Sequence, residues 1–161
     1  MKISVLLLAL FGITGCANLV SGLTSKMADD LAYTILNSDD LDTVREGVPA
    51  YLLLIDSFLK SDPENKNLLL AASSLNGSYS IFADDERAKL LTAKSFSYAV
   101  RAACIESARL CKFRFLEFPE FRLVADGLRM EDLPVAYSMG VAWTGWIQAH
   151  SEDWNAIAEL A

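Results

Sequence analysis

Between Val44 and Tyr79 the apolar positions recur at helical spacing, stop at a proline, and start again. Val48, Leu52, Ile55 and Leu59 stand at i, i+4, i+7 and i+11, which is one stripe of an α-helix. Ser61-Asp62-Pro63-Glu64-Asn65 breaks the stripe. Proline cannot continue a helix, and its ring pushes the residue before it out of the α region. Leu68, Ala71, Ala72 and Leu75 then resume the pattern. A connection this short makes the two helices antiparallel neighbours.

The same spacing predicts helices along the rest of the chain. Leu23, Met27, Leu31 and Ile35 mark a first helix over Asn18 to Asn37. Asp40 or Asp42 caps the next one, because a carboxylate there accepts from orphan backbone N–H groups. Pro49 falls inside that helix, where proline costs about 3 kcal/mol. A kink is expected, or a short helix ending near Glu46 and a new one from Pro49. A third helix covers Glu64 to Phe82, weakened at Asn76-Gly77-Ser78. Asp84-Asp85-Glu86 opens a fourth, where the helix dipole favours negative charge. It is expected to reach Cys111, with Ala88, Leu91, Ser95, Tyr98, Ala99, Ala102 and Ala103 on its inner face. Lys112 to Met130 reads as a loop and a short helix, since Pro119 interrupts its aromatics. Ser151 is the expected cap of a last helix carrying Trp154, Ile157 and Leu160. No stretch alternates at period two for long enough to suggest a strand, so the class is all-α, built of antiparallel helical hairpins.

One predicted helix, Leu133 to Ala149, contains no charged residue. Asp132 is its expected cap, and Pro134 sits in its first turn. Ala136, Gly140 and Thr144 form a small face at spacing four, while Tyr137, Trp143 and Trp146 supply bulk. Three readings stay open. Other helices surround it; it lines an apolar cavity or a subunit interface; or it enters a membrane, for which it falls short of the ~20 residues a span needs. The candidate cavity or interface residues are Tyr137, Gly140, Trp143 and Trp146. Under the first reading Gly140→Asp has no room and disrupts packing.

Composition narrows function more than fold. The chain has 161 residues, 53% of them hydrophobic, which suits one domain with a sizeable core. A net charge of −7, with 14 scattered basic residues, argues against nucleic acid. Met1-Lys2 and the apolar run Ile3 to Ile13 read as a leader over residues 1–15, removed before the domain spanning residues 16–161. Ile13-Thr14-Gly15-Cys16 resembles a bacterial lipobox, so Cys16 is the expected site of lipid attachment. Ala17 is not the aspartate that retains many lipoproteins at the inner membrane, which favours the outer one. Cys104 and Cys111 are seven apart in one helical pattern, about 10 Å between Cα atoms. That is too far for a disulfide, so both read as buried small apolar residues. A bridge would require the helix to end before Cys111.

Catalytic chemistry is absent from the pattern. His150 is the single histidine, placed at a helix end, so no histidine metal site exists. No C-x-x-C, G-x-S-x-G, P-loop or G-x-G-x-x-G occurs. Adjacent carboxylates at Asp84, Asp85 and Glu86 read as a helix cap, and nothing supports Glu117 and Glu120 as an acid–base pair. No enzyme, cofactor or metal is expected.

The stretch V-R-E-G-V-P-A-Y-L-L-L-I-D-S-F-L-K-S-D-P-E-N-K-N-L-L-L-A-A-S-S resembles the T component (TatT) family of TRAP transporters. The likeness continues through Glu86-Arg87-Ala88-Lys89, Ser97-Tyr98-Ala99-Val100-Arg101-Ala102, Asp132-Leu133-Pro134-Val135-Ala136-Tyr137 and Ala142-Trp143-Thr144-Gly145-Trp146-Ile147. Family members continue well past the region matching Asp153-Trp154-Asn155-Ala156, so the chain reads as the N-terminal portion of such a domain, truncated at its C-terminus. The resemblance implies an irregular stack of tetratricopeptide-like hairpins, and helix, Asp-Pro turn, helix is the local grammar of such repeats. It also implies a periplasmic lipoprotein acting beside a solute-binding protein, a homotrimer, and an apolar chamber for hydrophobic ligands. The alternative is a general helical scaffold lipoprotein of the envelope that binds no small molecule.

Overall fold

A computed structural model of the protein describes residues 26–158. The expected leader, Cys16, Leu23 and Leu160 lie outside these residues. Within them the chain is helical throughout, with no strand. Helix α1 covers 26–36, followed by α2 (Leu41–Ser61), α3 (Lys66–Tyr79) and a 3₁₀ turn (Ser80–Phe82). Next come α4 (Asp85–Glu106), α5 (Ala108–Cys111), a second 3₁₀ turn (Phe113–Phe115) and α6 (Phe118–Asp126). The uncharged helix is α7 (Leu133–Ala149), and α8 is Trp154–Ala158.

The α2–α3 hairpin follows its sequence pattern closely. The buried residues of α2 are Val48, Leu52, Ile55 and Leu59. Leu68, Ala71, Ala72 and Leu75 are buried on α3. Asp40 Oδ1 accepts from the Thr43 N–H (3.0 Å) to open α2, and Asn65 Oδ1 accepts from Leu68 (3.2 Å) to open α3. Pro63 lies in the turn between them, and the Arg101 guanidinium donates to its carbonyl (2.6 Å), tying the turn to α4. On α1 the buried positions are Ala28 and Ala32, and Met27 is exposed. The stripe is therefore displaced by one residue from the expected one, so that small side chains meet the core.

Pro49 does not divide α2, which runs unbroken from Leu41 to Ser61, so the expected new helix does not start there. A proline at position 49 leaves the carbonyl of Arg45 without its helical donor. The Tyr79 hydroxyl, at the end of α3, donates to that carbonyl (3.0 Å). The neighbouring helix thus replaces the bond that the imide nitrogen cannot make. Tyr79→Phe should cost about 1 kcal/mol, because the carbonyl loses its partner. In a Pro49→Ala background the helix supplies its own N–H, and the same change should cost clearly less. Urea unfolding of the four proteins measures both costs; equal costs would show that the hydroxyl does not stand in for the missing donor.

Helix α4 is the centre of the fold, packed against α3 on one side and α7 on the other. Asp84 caps it, accepting from the Arg87 N–H (2.9 Å). Its inner face holds Leu91, Thr92, Ser95, Phe96, Tyr98, Ala99, Ala102 and Ala103. Small residues there allow close approach: a Cβ on Gly77 of α3 would stand 3.0 Å from Ser95 Oγ. The Tyr98 hydroxyl donates to Asp56 of α2 (2.5 Å), and Lys94 pairs with the other oxygen of the same carboxylate. Burial, then this hydrogen bond, push the Tyr98 phenol above its usual range.

The fourth helix ends earlier than the sequence suggests. It stops at Glu106, where Ser107 takes an extended backbone (φ −159°, ψ 148°). Ser107 donates its N–H to Ala103 (3.0 Å) and its Oγ accepts from Leu110 (3.2 Å), so one residue closes α4 and opens α5. This break brings Cys104 and Cys111 to 4.1 Å between Cα atoms, and they form a disulfide. The reading of two buried free thiols is therefore corrected: Cys104 is exposed and Cys111 half-buried, both in the bridge. Beyond it Phe113 is buried and stacks on Phe121 of α6 (4.6 Å between centroids).

Two expected caps also differ. Asp132 precedes α7, but its Oδ2 turns back to accept from the Arg129 backbone N–H (3.0 Å) and Nε (3.3 Å). The Arg129 N–H, aided by its guanidinium, holds this carboxyl below the usual carboxylate range. Asp153, rather than Ser151, precedes α8 and accepts from the Asn155 N–H (2.9 Å).

Candidate functional site

Helices α3 and α7 both pack on α4 and also touch each other, and an open groove of about 1010 Å³ is lined by all three. Its floor is α4, through Ala88, Thr92 and Ser95. The α3 wall is Leu70, Ser73, Ser74, Gly77 and Ser78, extended by Ser80 and Ile81. The α7 wall is Pro134, Tyr137, Ser138, Gly140 and Val141, then Thr144, Gly145 and Gln148, with Ala142 and Ala149 completing it. Small side chains on all three helices leave the space open, while Ile81 and Tyr137 (78% and 75% exposed) stand as large apolar groups on the walls.

The helix that builds the second wall is covered on one side only. Val135, Met139, Ala142 and Ile147 are buried, whereas Leu133, Tyr137, Gly140, Val141, Thr144 and Gln148 are exposed. This corrects the reading that other helices surround it. The exposed line carries the large apolar groups Leu133, Tyr137 and Val141 beside Gly140, Thr144 and Gln148, with no charge present. Gly140 likewise has room: a Cβ there meets nothing within 4 Å, which overturns the expected clash of Gly140→Asp.

The four sequence-derived residues divide between two sides of α7. Tyr137 and Gly140 line the groove. Nine residues, two and a half turns, separate Tyr137 from Trp146, which places them on opposite sides of the helix. Trp143 and Trp146 are half-buried against Phe96 of α4, each with its ring centre 6.0 Å from the phenyl ring. Arg114 lies 5.2 Å from the Phe96 and Trp146 ring centres, a cation–π contact to each. His150 stacks on Trp146 (4.8 Å), and its Nδ1 lies 2.8 Å from the Trp146 carbonyl. This aromatic cluster fastens α7 to α4 and so fixes the width of the groove.

Hydrogen bonding within the groove is mostly internal. Ser95 Oγ donates to the Ser73 carbonyl (2.7 Å), which leaves the Ser73 hydroxyl to donate to Ser95 Oγ (3.3 Å). Thr92 donates to Ala88 (2.8 Å), Thr144 to Gly140 (2.9 Å) and Ser80 to Gly77 (2.6 Å). Among the described residues the Ser74, Ser78 and Ser138 hydroxyls form no such bond. Two buried oxygens lack a partner there, Asn76 Oδ1 and Asp132 Oδ1, and neither residue lines the groove. No grouping of His, Cys, Asp or Glu among the described residues has the form of a metal site.

The sequence contained the α7 half of this site but not the α3 and α4 half. Ser74, Ser78 and Thr92 look like ordinary helix residues until the fold aligns them. Their one signal is the scarcity of charge on the inner faces of α3, α4 and α7.

A family model, the TRAP transporter T-component, matches residues 37–161. No curated protein and no solved structure matches. No helix among the described residues is long and apolar enough to cross a membrane.

Proposed function

This chain belongs to the TRAP transporter T-component family, a family of transport accessory proteins, and on that premise we propose that its groove receives a hydrophobic ligand. The observation that carries this reading is the furrow between α3, α4 and α7, of a size that suits small-molecule sites of ~300–1,000 Å³. The protein would hold the ligand beside a periplasmic solute-binding protein of the same transport system. A lipid on Cys16 would tether it to a bacterial membrane, the outer rather than the inner, and a homotrimer would be the working assembly. A scaffold without a ligand is the rival, and it leaves the groove empty.

Diphenylhexatriene, an uncharged fluorescent hydrocarbon, tests the groove directly. The wild-type protein should bind it, and Gly140→Trp should weaken binding about tenfold or more by filling the furrow from an open position. Circular dichroism confirms that the variant is folded. Failure of the wild type to bind, or equal binding by both, would favour the scaffold. Retention of the system's solute-binding protein on immobilised wild-type chain tests the partner separately.

A further inference from the structure

We infer that the groove selects a ligand with an apolar body and an uncharged, hydrogen-bonding head, and that Ser74 and Ser78 bind that head. This rests on the ligand-binding reading above and goes beyond it in naming the head group and its partners. Charged residues make up 22% of the chain, so a lining of twenty residues would ordinarily include several. It includes none. A carboxylate or ammonium drawn between the walls would give up water and find no counter-charge, which is costly. It would keep its hydration by staying at the open side of the furrow, where it gives up contact with the walls.

A neutral head meets different terms. Most hydroxyls of the groove already donate within the fold, to Ser73, Ala88, Gly140 and Gly77. Among the described residues Ser74, Ser78 and Ser138 do not, and two of these, Ser74 and Ser78, belong to one helix. They stand one turn apart on the same wall of α3, half-buried, and both face the groove. Two unengaged hydroxyls at that spacing can each donate to the oxygen of an alcohol, ester or amide, and can accept from an alcohol O–H or an amide N–H. On the facing wall Tyr137 and Val141 offer apolar surface to the body of the ligand. The groove therefore sets two unengaged hydroxyls on α3 opposite apolar surface on α7, where the Ser138 and Thr144 hydroxyls and the Gln148 amide also lie.

Decanol, decanoate and decylammonium share one chain and differ in head charge, so their displacement of diphenylhexatriene is the test. Decanol should displace the dye at a concentration about tenfold lower than either ion. Ser74→Ala with Ser78→Ala should weaken decanol about five- to tenfold relative to diphenylhexatriene, the loss of two neutral hydrogen bonds that the hydrocarbon cannot make. Decanoate or decylammonium equal to decanol would overturn the neutral-head claim. Decanol unaffected by the serine changes would overturn their role. Sedimentation of the wild type and Gly140→Trp supplies the other control. If the wild type is an oligomer that the tryptophan splits into monomers, the groove is filled by a second copy and the inference falls. If diphenylhexatriene does not bind the wild type at all, the underlying ligand-binding reading fails first.

Discussion

Cys104→Ser combined with Cys111→Ser should lower the unfolding free energy by about 2–3 kcal/mol, the chain-entropy value for so short a loop. The bridge joins the last turn of α4 to α5 across Ser107. From there the chain runs to Phe113, buried on Phe121, and to Arg114 over Phe96 and Trp146. Without the bridge, the extended backbone at Ser107 is held by its two capping hydrogen bonds alone. Urea unfolding measures the loss as a lower midpoint, and reduced wild-type protein should unfold with the double variant. A variant within about 0.5 kcal/mol of the oxidised wild type would show that the bridge does not organise this corner.

Ala99→Leu should cost about 3 kcal/mol, the upper end of the range for added methylenes in a packed interior. Ala99 is completely buried. Its neighbours on the helical wheel face both ways: Ser95 bonds to Ser73 of α3, and Phe96 stacks on Trp143 of α7. A larger side chain there must push against two helices at once, with no open side in which to relax. The urea midpoint should fall steeply with an unchanged slope. An unchanged midpoint would mean that α3, α4 and α7 are packed more loosely than their small residues imply.

The parts of the fold that were legible in the sequence are those governed by local rules. The α2–α3 hairpin needed only two apolar stripes and a proline stop, and each stripe residue is buried as expected. The bounds of α7 follow from Pro134 and the uncharged run. Pro49 misled because the proline penalty is local, whereas its remedy, the Tyr79 hydroxyl, comes from thirty residues further along the chain. The disulfide was hidden because no glycine or proline marks the break at Ser107. A serine before Ala108, able to cap a new turn, was the available signal.

The groove was half legible for a similar reason. A helix with no charges does not announce which side faces water, and its bulky tryptophans drew attention to the side that packs on Phe96. The quieter line Tyr137, Gly140, Val141, Thr144 and Gln148 is the one left open. Its spacing of three and four was readable; its meaning required α3 and α4 to stand opposite. Ser74 and Thr92 enter the site only through that packing.

The most direct measurement is photolabelling with a diazirine-bearing decanol, mapped by mass spectrometry on the folded wild-type protein. Label should concentrate on residues 70–81 and 134–149, the two walls of the groove, and fall sharply in Gly140→Trp. Label spread evenly over the chain, or gathered on the exposed aromatics Phe115 and Phe118, would contradict a ligand site between α3 and α7.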